Sequence, residues 1–94
     1  MGFEKKQSIF TYELTGGTLT INEEDGITAV ALLLTNGAGS YQGNGKLVSG
    51  ASVVNSIANT LAIDFPVTIT SEQTKYIDEL TIDATAGTIQ IIAR

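Results

Sequence analysis

Histidine, cysteine and tryptophan are all absent from this chain of 94 residues. Those residue types carry most of the nucleophilic, general-base and transition-metal chemistry available near neutral pH. Without cysteine, no disulfide can staple the fold and no thiolate metal site can form. Stability has to come from apolar packing, the backbone ladder and, where one exists, a partner subunit. Positive charge is also scarce. Five Lys and Arg stand against ten Asp and Glu, for a net charge of −5. That argues against nucleic acid, whose binding rests on a basic footprint, and against anionic membrane surfaces. An acidic surface that keeps the chain soluble accounts for the charge. Long hydrophobic runs are missing too. The longest, Ala29-Val30-Ala31-Leu32-Leu33-Leu34, is far too short to span a bilayer. The start, Met1-Gly2-Phe3-Glu4-Lys5-Lys6-Gln7, shows no apolar stretch behind its lysines and reads as carrying no targeting signal.

What is present is a series of short β-prone runs, rich in Thr and Ile, punctuated by glycine. A chain of this size buries roughly two-thirds of its unfolded surface, enough for one modest core. Residues 1–7 read as a flexible N-terminal segment and 8–94 as a single domain. In Ser8–Leu14, Phe10, Tyr12 and Leu14 alternate with Ile9, Thr11 and Glu13, so one face is apolar and Tyr12 is expected in the core. Thr15-Gly16-Gly17 breaks the run, and Thr18–Ile21 resumes it with Leu19 and Ile21 inward, which suggests a hairpin. Asn22-Glu23-Glu24-Asp25-Gly26 is an acidic turn.

Ile27–Thr35 is different, because Ala29 to Leu34 are apolar on both alternating faces. A central strand covered on both sides gives that pattern. So does a strand whose outer face meets another subunit, or a short buried helix. Asn36-Gly37 and Asn44-Gly45 are strong hairpin signals, since Asn and Gly tolerate the positive φ of a type I′ turn. They predict a meander of Ile27–Thr35, Ala38–Gly43 and Lys46–Ser49. Ser49–Thr60 fits either one helical turn with Ser52 as N-cap or an extended crossing segment; its β-branched residues favour the latter. Leu61, Ile63 and Phe65 alternate, Pro66 opens a strand carrying Val67 and Ile69, and Leu80, Ile82 and Ala84 alternate after the polar loop Ser71–Tyr76. Gly87 fits a short turn. Ile89, Ile91 and Ala93 form the last inward row, with Ile92 on the opposite face. The expected fold is all-β: an antiparallel β-sandwich, jelly-roll or immunoglobulin-like, of about eight short strands.

Few residues could carry chemistry. The acidic turn Asn22–Gly26 lacks the alternating ligands of a calcium loop, and reads as a solvated turn. Glu79 and Asp83 share a strand face four residues apart, roughly 13 Å between Cα atoms, which is wide for a catalytic pair. Lys46 and Lys75 sit at a turn and in a polar loop, where neither would be activated beside a serine. Gly37-Ala38-Gly39 and Gly43-Asn44-Gly45 lack the spacing and the Lys-Ser/Thr of a phosphate loop. Tyr41 and Tyr76 could stack on a sugar or anchor an interface. No catalytic residue, cofactor or metal site is predicted.

Two segments, Ser40-Tyr41-Gln42-Gly43-Asn44-Gly45-Lys46-Leu47-Val48 and Ile77–Arg94, resemble small β-rich bacteriophage virion proteins. The second closes on Leu80-Thr81-Ile82-Asp83-Ala84-Thr85-Ala86-Gly87-Thr88-Ile89-Gln90-Ile91-Ile92. The resemblance covers the style of most of the chain and has no diagnostic motif, so no functional residue is carried over. It implies a sandwich that decorates capsids or builds head or tail fibres as a homo-oligomer beside other virion structural proteins. It also implies location in the virion, after the host cytoplasm. The expectation is therefore a non-enzymatic structural protein that self-associates and docks on a larger assembly. Its expected interface residues are Val30, Leu32, Leu33, Leu34, Tyr41 and Tyr76. The alternative is a monomeric carbohydrate-binding module with a glycan as partner, in which Tyr41 or Tyr76 lies on an exposed face.

Overall fold

Two strands of 15 residues organise the molecule in the computed structural model, which describes residues 10–72 and 74–94. The strands are β1 (Phe10–Thr15), β2 (Thr18–Asn22), β3 (Ala29–Gly43), β4 (Gly45–Leu47), β5 (Ser52–Val53), β6 (Asn59–Thr60), β7 (Val67–Thr70) and β8 (Glu79–Ala93). They form one antiparallel sheet in the order β1-β8-β3-β7-β4-β5, with β2 also on β8 and β6 also on β3. The all-β antiparallel expectation holds, and a two-layer sandwich is compatible with what is seen. The N-terminal segment 1–7 expected to be flexible lies outside the described residues.

The long strands cannot be straight. Fifteen extended residues would reach about 50 Å, yet the longest dimension of the molecule is 32 Å. The bend falls where three segments meet. Register shifts separate Leu34 from Asn36 and Ala38 from Ser40 along the β3–β8 ladder. Beside them, Gly16 N–H donates to the Ala84 carbonyl at 2.9 Å and Ala84 N–H to the Gly17 carbonyl at 2.7 Å. Each segment changes phase there. Leu14 is inward before the bend and Ile21 after it; Leu34 before and Tyr41 after; Ala84 before and Ile89 after. An extra residue at a bulge does this, because side chains alternate with period two. The halves on either side close over one core that joins Leu14, Val30, Leu32, Ile89 and Ile91 to Ile21, Tyr41, Leu80 and Ile82. No polar or charged residue is buried among the described residues.

Several expected turns are therefore not turns. β1 and β2 do not pair with each other; both run along β8, with Gly16-Gly17 as the corner. Asn36-Gly37 lies inside β3, where Gly37 takes φ +73° opposite Gly87, between the two register shifts, rather than in a hairpin. Gly87, expected in a turn, lies inside β8. Asn44-Gly45 is no hairpin either, since β4 pairs with β7 and β5 instead of β3. Here the chain crosses from the edge of β8 to that of β7, and the approach is close. A Cβ on Gly43 would stand 2.2 Å from the Glu79 carbonyl oxygen, and one on Gly45 would stand 2.8 Å from that of Thr70. Residues 61–65 are not a strand. Asp64 adopts φ 69°, and Phe65 N–H returns to the Ala62 carbonyl in a turn, so Leu61 is buried while Ile63 and Phe65 stay exposed. The 49–60 region is extended with turns, as its β-branched residues favoured. Tyr12 is 42% exposed instead of in the core. It lies opposite Ile91 on the inward face, on the strand that ends the described sheet order. The Phe65–Pro66 bond is trans.

Candidate interaction face

The apolar run Ala29–Leu34 divides cleanly between the two faces of β3. Val30, Leu32 and Leu34 point inward and are at most 1% exposed. Three of the six expected interface residues are thus spent on the core. Tyr41 joins them at 4% exposure, and burial pushes its hydroxyl pKa above the ordinary value. It offers no stacking platform. Tyr76 is half-buried, with the Lys75 ammonium 5.4 Å from its ring centroid. Leu33 alone of the run's leucines turns outward, half-buried.

Leu33 does not stand alone. Ala31 lies two residues before it on the same face, directly opposite Ile92 of β8, while Gln90 lies opposite Leu33. Ile92 is 45% exposed. Thr11 of β1 flanks Ile92, and Thr68 of β7 flanks Ala31. A shallow groove of about 240 Å³ runs here, lined by Ala29, Ala31, Thr68, Ile92 and Arg94. The result is an apolar strip across two central strands, rimmed by threonines and one glutamine. Ala31 and Ile92 were missing from the expected interface. Their signal was present, since Ile92 breaks the inward alternation, but only the ladder places it against Ala31.

Three of the carboxylates, Asp25, Glu79 and Asp83, are engaged locally. Asn22 caps the 3₁₀ turn Glu23–Asp25: its side chain accepts from Glu24 N–H at 3.2 Å, and Asp25 Oδ2 accepts from Asn22 N–H at 2.9 Å. This is a capping box, and Gly26 closes it with φ 69°. Glu79 accepts from the Asn44 side-chain amide at 3.3 Å. Asp83 Oδ1 accepts from both the Thr85 N–H at 2.9 Å and the Thr85 hydroxyl at 2.8 Å. Glu79 and Asp83 do share one face of β8, with Thr81 between them. Among the described residues, no group of three or more acidic side chains is placed to hold a metal ion. Lys46 and Lys75 are exposed.

The bonds from Thr85 hold the Asp83 carboxyl below its ordinary value of 3.8. A carboxylate lowered on folding adds stability above its ordinary value, and loses it as pH falls through the folded one. Asp83→Asn keeps an acceptor for Thr85 but removes the titration. A thermal-midpoint series between about pH 7 and about pH 2 is expected to fall less steeply for the variant in its most acidic part. Parallel curves would mean that Asp83 contributes nothing to the acid dependence.

Comparison of the chain with protein-family models, with curated proteins and with solved structures finds no match.

Proposed function

We propose that this chain is a non-enzymatic structural protein that associates with copies of itself and docks on a larger assembly. The resemblance to virion proteins suggests a phage particle as that assembly. The observation that carries the reading is the outward strip of Ala31, Leu33 and Ile92. A one-sided antiparallel sheet presents polar residues to water; here one stretch of the two central strands presents Ala31, Leu33 and Ile92 around Gln90. Contiguous apolar surface rimmed by polar residues is what contact sites look like. The catalytic inventory points the same way. The described carboxylates discussed above serve caps and side-chain ladders, and histidine and cysteine are absent from the sequence.

Light scattering after size exclusion, across a dilution series, tests the reading. The wild-type chain should exceed its single-chain mass of 9.9 kDa. Leu33→Asp should give a smaller species with an unchanged circular dichroism spectrum, because the side chain points away from the core and loss of its partial burial costs about 1–2 kcal/mol. A wild-type chain that stays monomeric at the highest concentration sinks the proposal. A Leu33→Asp variant of unchanged mass removes the strip as the contact.

A further inference from the structure

We infer that β2 is a second contact, through which two copies join edge to edge into one continuous sheet. The inference rests on the assembly reading above and adds a surface to it. A single isologous contact closes a dimer, so a larger assembly needs another.

Among the described residues, the unpaired edges of the sheet are unequal. β5 and β6 are two residues each, while β1 and β2 together run along the whole of β8. Natural sheets blunt a long edge with lysine, proline, inward charge or a very short strand. β2, Thr18-Leu19-Thr20-Ile21-Asn22, has no charged residue and no proline. The phase of its backbone is fixed. Ala84 N–H donates to the Gly17 carbonyl, and bonded pairs recur at every second position of an antiparallel ladder. With Leu19 opposite Ile82 and Thr20 opposite Thr81, Leu19 and Ile21 turn their backbone groups to β8. Thr18 and Thr20 turn theirs outward. Asn22 N–H, next in the outward series, is taken by Asp25.

A second copy fits this edge. With a two-fold axis at Thr20, the two Thr20 residues exchange both backbone bonds. Thr18 N–H meets the Asn22 carbonyl of the other copy. Leu19 falls opposite Ile21 on the inner face, where Leu19 is only partly buried by its own chain. Outside, the Thr20–Thr81 hydroxyl pair, 3.3 Å apart, continues across the axis. The same register sets the acidic turn of each copy beside Gly16 and Gly17 of the other. No carboxylate of that turn meets its own image, although each chain carries a charge of −5.

Charge swapping at the axis tests this. Thr20 is exposed, so Thr20→Lys and Thr20→Glu should keep the wild-type circular dichroism spectrum. Each alone sets two like charges opposite one another, which destabilises a cross-strand pair. Light scattering should show each variant at a lower mass than wild type at equal concentration. An equimolar mixture should recover the lost mass. Variants that keep the wild-type mass, or a mixture that recovers nothing, overturn the β2 contact. If mass falls only in Leu33→Asp, the edge is wrong and the assembly reading stands. If the wild-type chain is itself a monomer, both fail.

Discussion

Gly87→Ala is expected to cost about 3 kcal/mol, the upper part of the range for forcing extra atoms into a filled space. A Cβ at this position would stand 2.3 Å from the Asn36 carbonyl oxygen, 2.6 Å from that of Ala38 and 2.7 Å from the Ala38 nitrogen. All three are backbone atoms of the partner strand, so no side chain can swing aside. β3 and β8 have to separate at the bend on which both halves of the core depend. A domain of this size has about 5–15 kcal/mol of stability, and each kcal/mol shifts its thermal midpoint by roughly 4–8 °C. The midpoint should therefore fall by roughly 12–24 °C. Gly17→Ala is the control. It lies at the same corner, on the β1–β2 side, with nothing within 4 Å of the added carbon and no positive φ. Its effect should stay within about 0.5 kcal/mol. Equal midpoints for the two variants would show that the bend does not depend on the close approach at Gly87.

The same glycines explain which parts of the fold could be read in advance. Inward rows such as Leu80, Ile82, Ala84 and Ile89, Ile91, Ala93 follow from alternation alone, and all six are buried. The joints between rows do not. A hairpin turn and a bulge inside a continuing strand both call for residues that accept positive φ or a close neighbour. Asn36-Gly37 satisfies either. What decides is the partner. β8 runs beside β3 on both sides of the joint, and this non-local pairing overrides the local turn signal. The phase change itself was visible in two of the three segments, as the move from even to odd inward positions between Leu14 and Leu19 and between Ala84 and Ile89; in β3 the doubly apolar run hid it. A turn also resets the phase, so only the partner strand tells the two apart. The interaction face was half legible for a related reason. The excess of apolar residues in Ala29–Leu34 was visible, but dividing them into core and surface needed the ladder. That division placed Val30, Leu32 and Leu34 inside and left Leu33 to join Ala31 and Ile92 outside.

Two adjacent isoleucines offer the sharpest test of that division. Ile91 is fully buried and lies between Tyr12 of β1 and Leu32 of β3. Ile91→Ala removes buried methyl and methylene groups and leaves a cavity under both strands, at a cost of about 2–5 kcal/mol. Ile92 is half-exposed on the other face, so Ile92→Ala loses only a fraction of one side chain's burial, about 1 kcal/mol or less. Urea unfolding of the two variants, measured at low concentration so that association does not add to stability, should separate them by several-fold in free energy. The contrast depends on register. A slip of one residue in the β3–β8 ladder would exchange the two faces, and Ile92→Ala would become the costly change. The proposed contact adds a second contrast with the opposite sign. Ile92→Ala should weaken association in the light-scattering series, because it removes the half of the strip that β8 supplies. Ile91→Ala should leave association intact wherever the chain remains folded. A costly Ile92→Ala with no effect on mass would turn the strip into core and remove the observation on which the assembly reading rests.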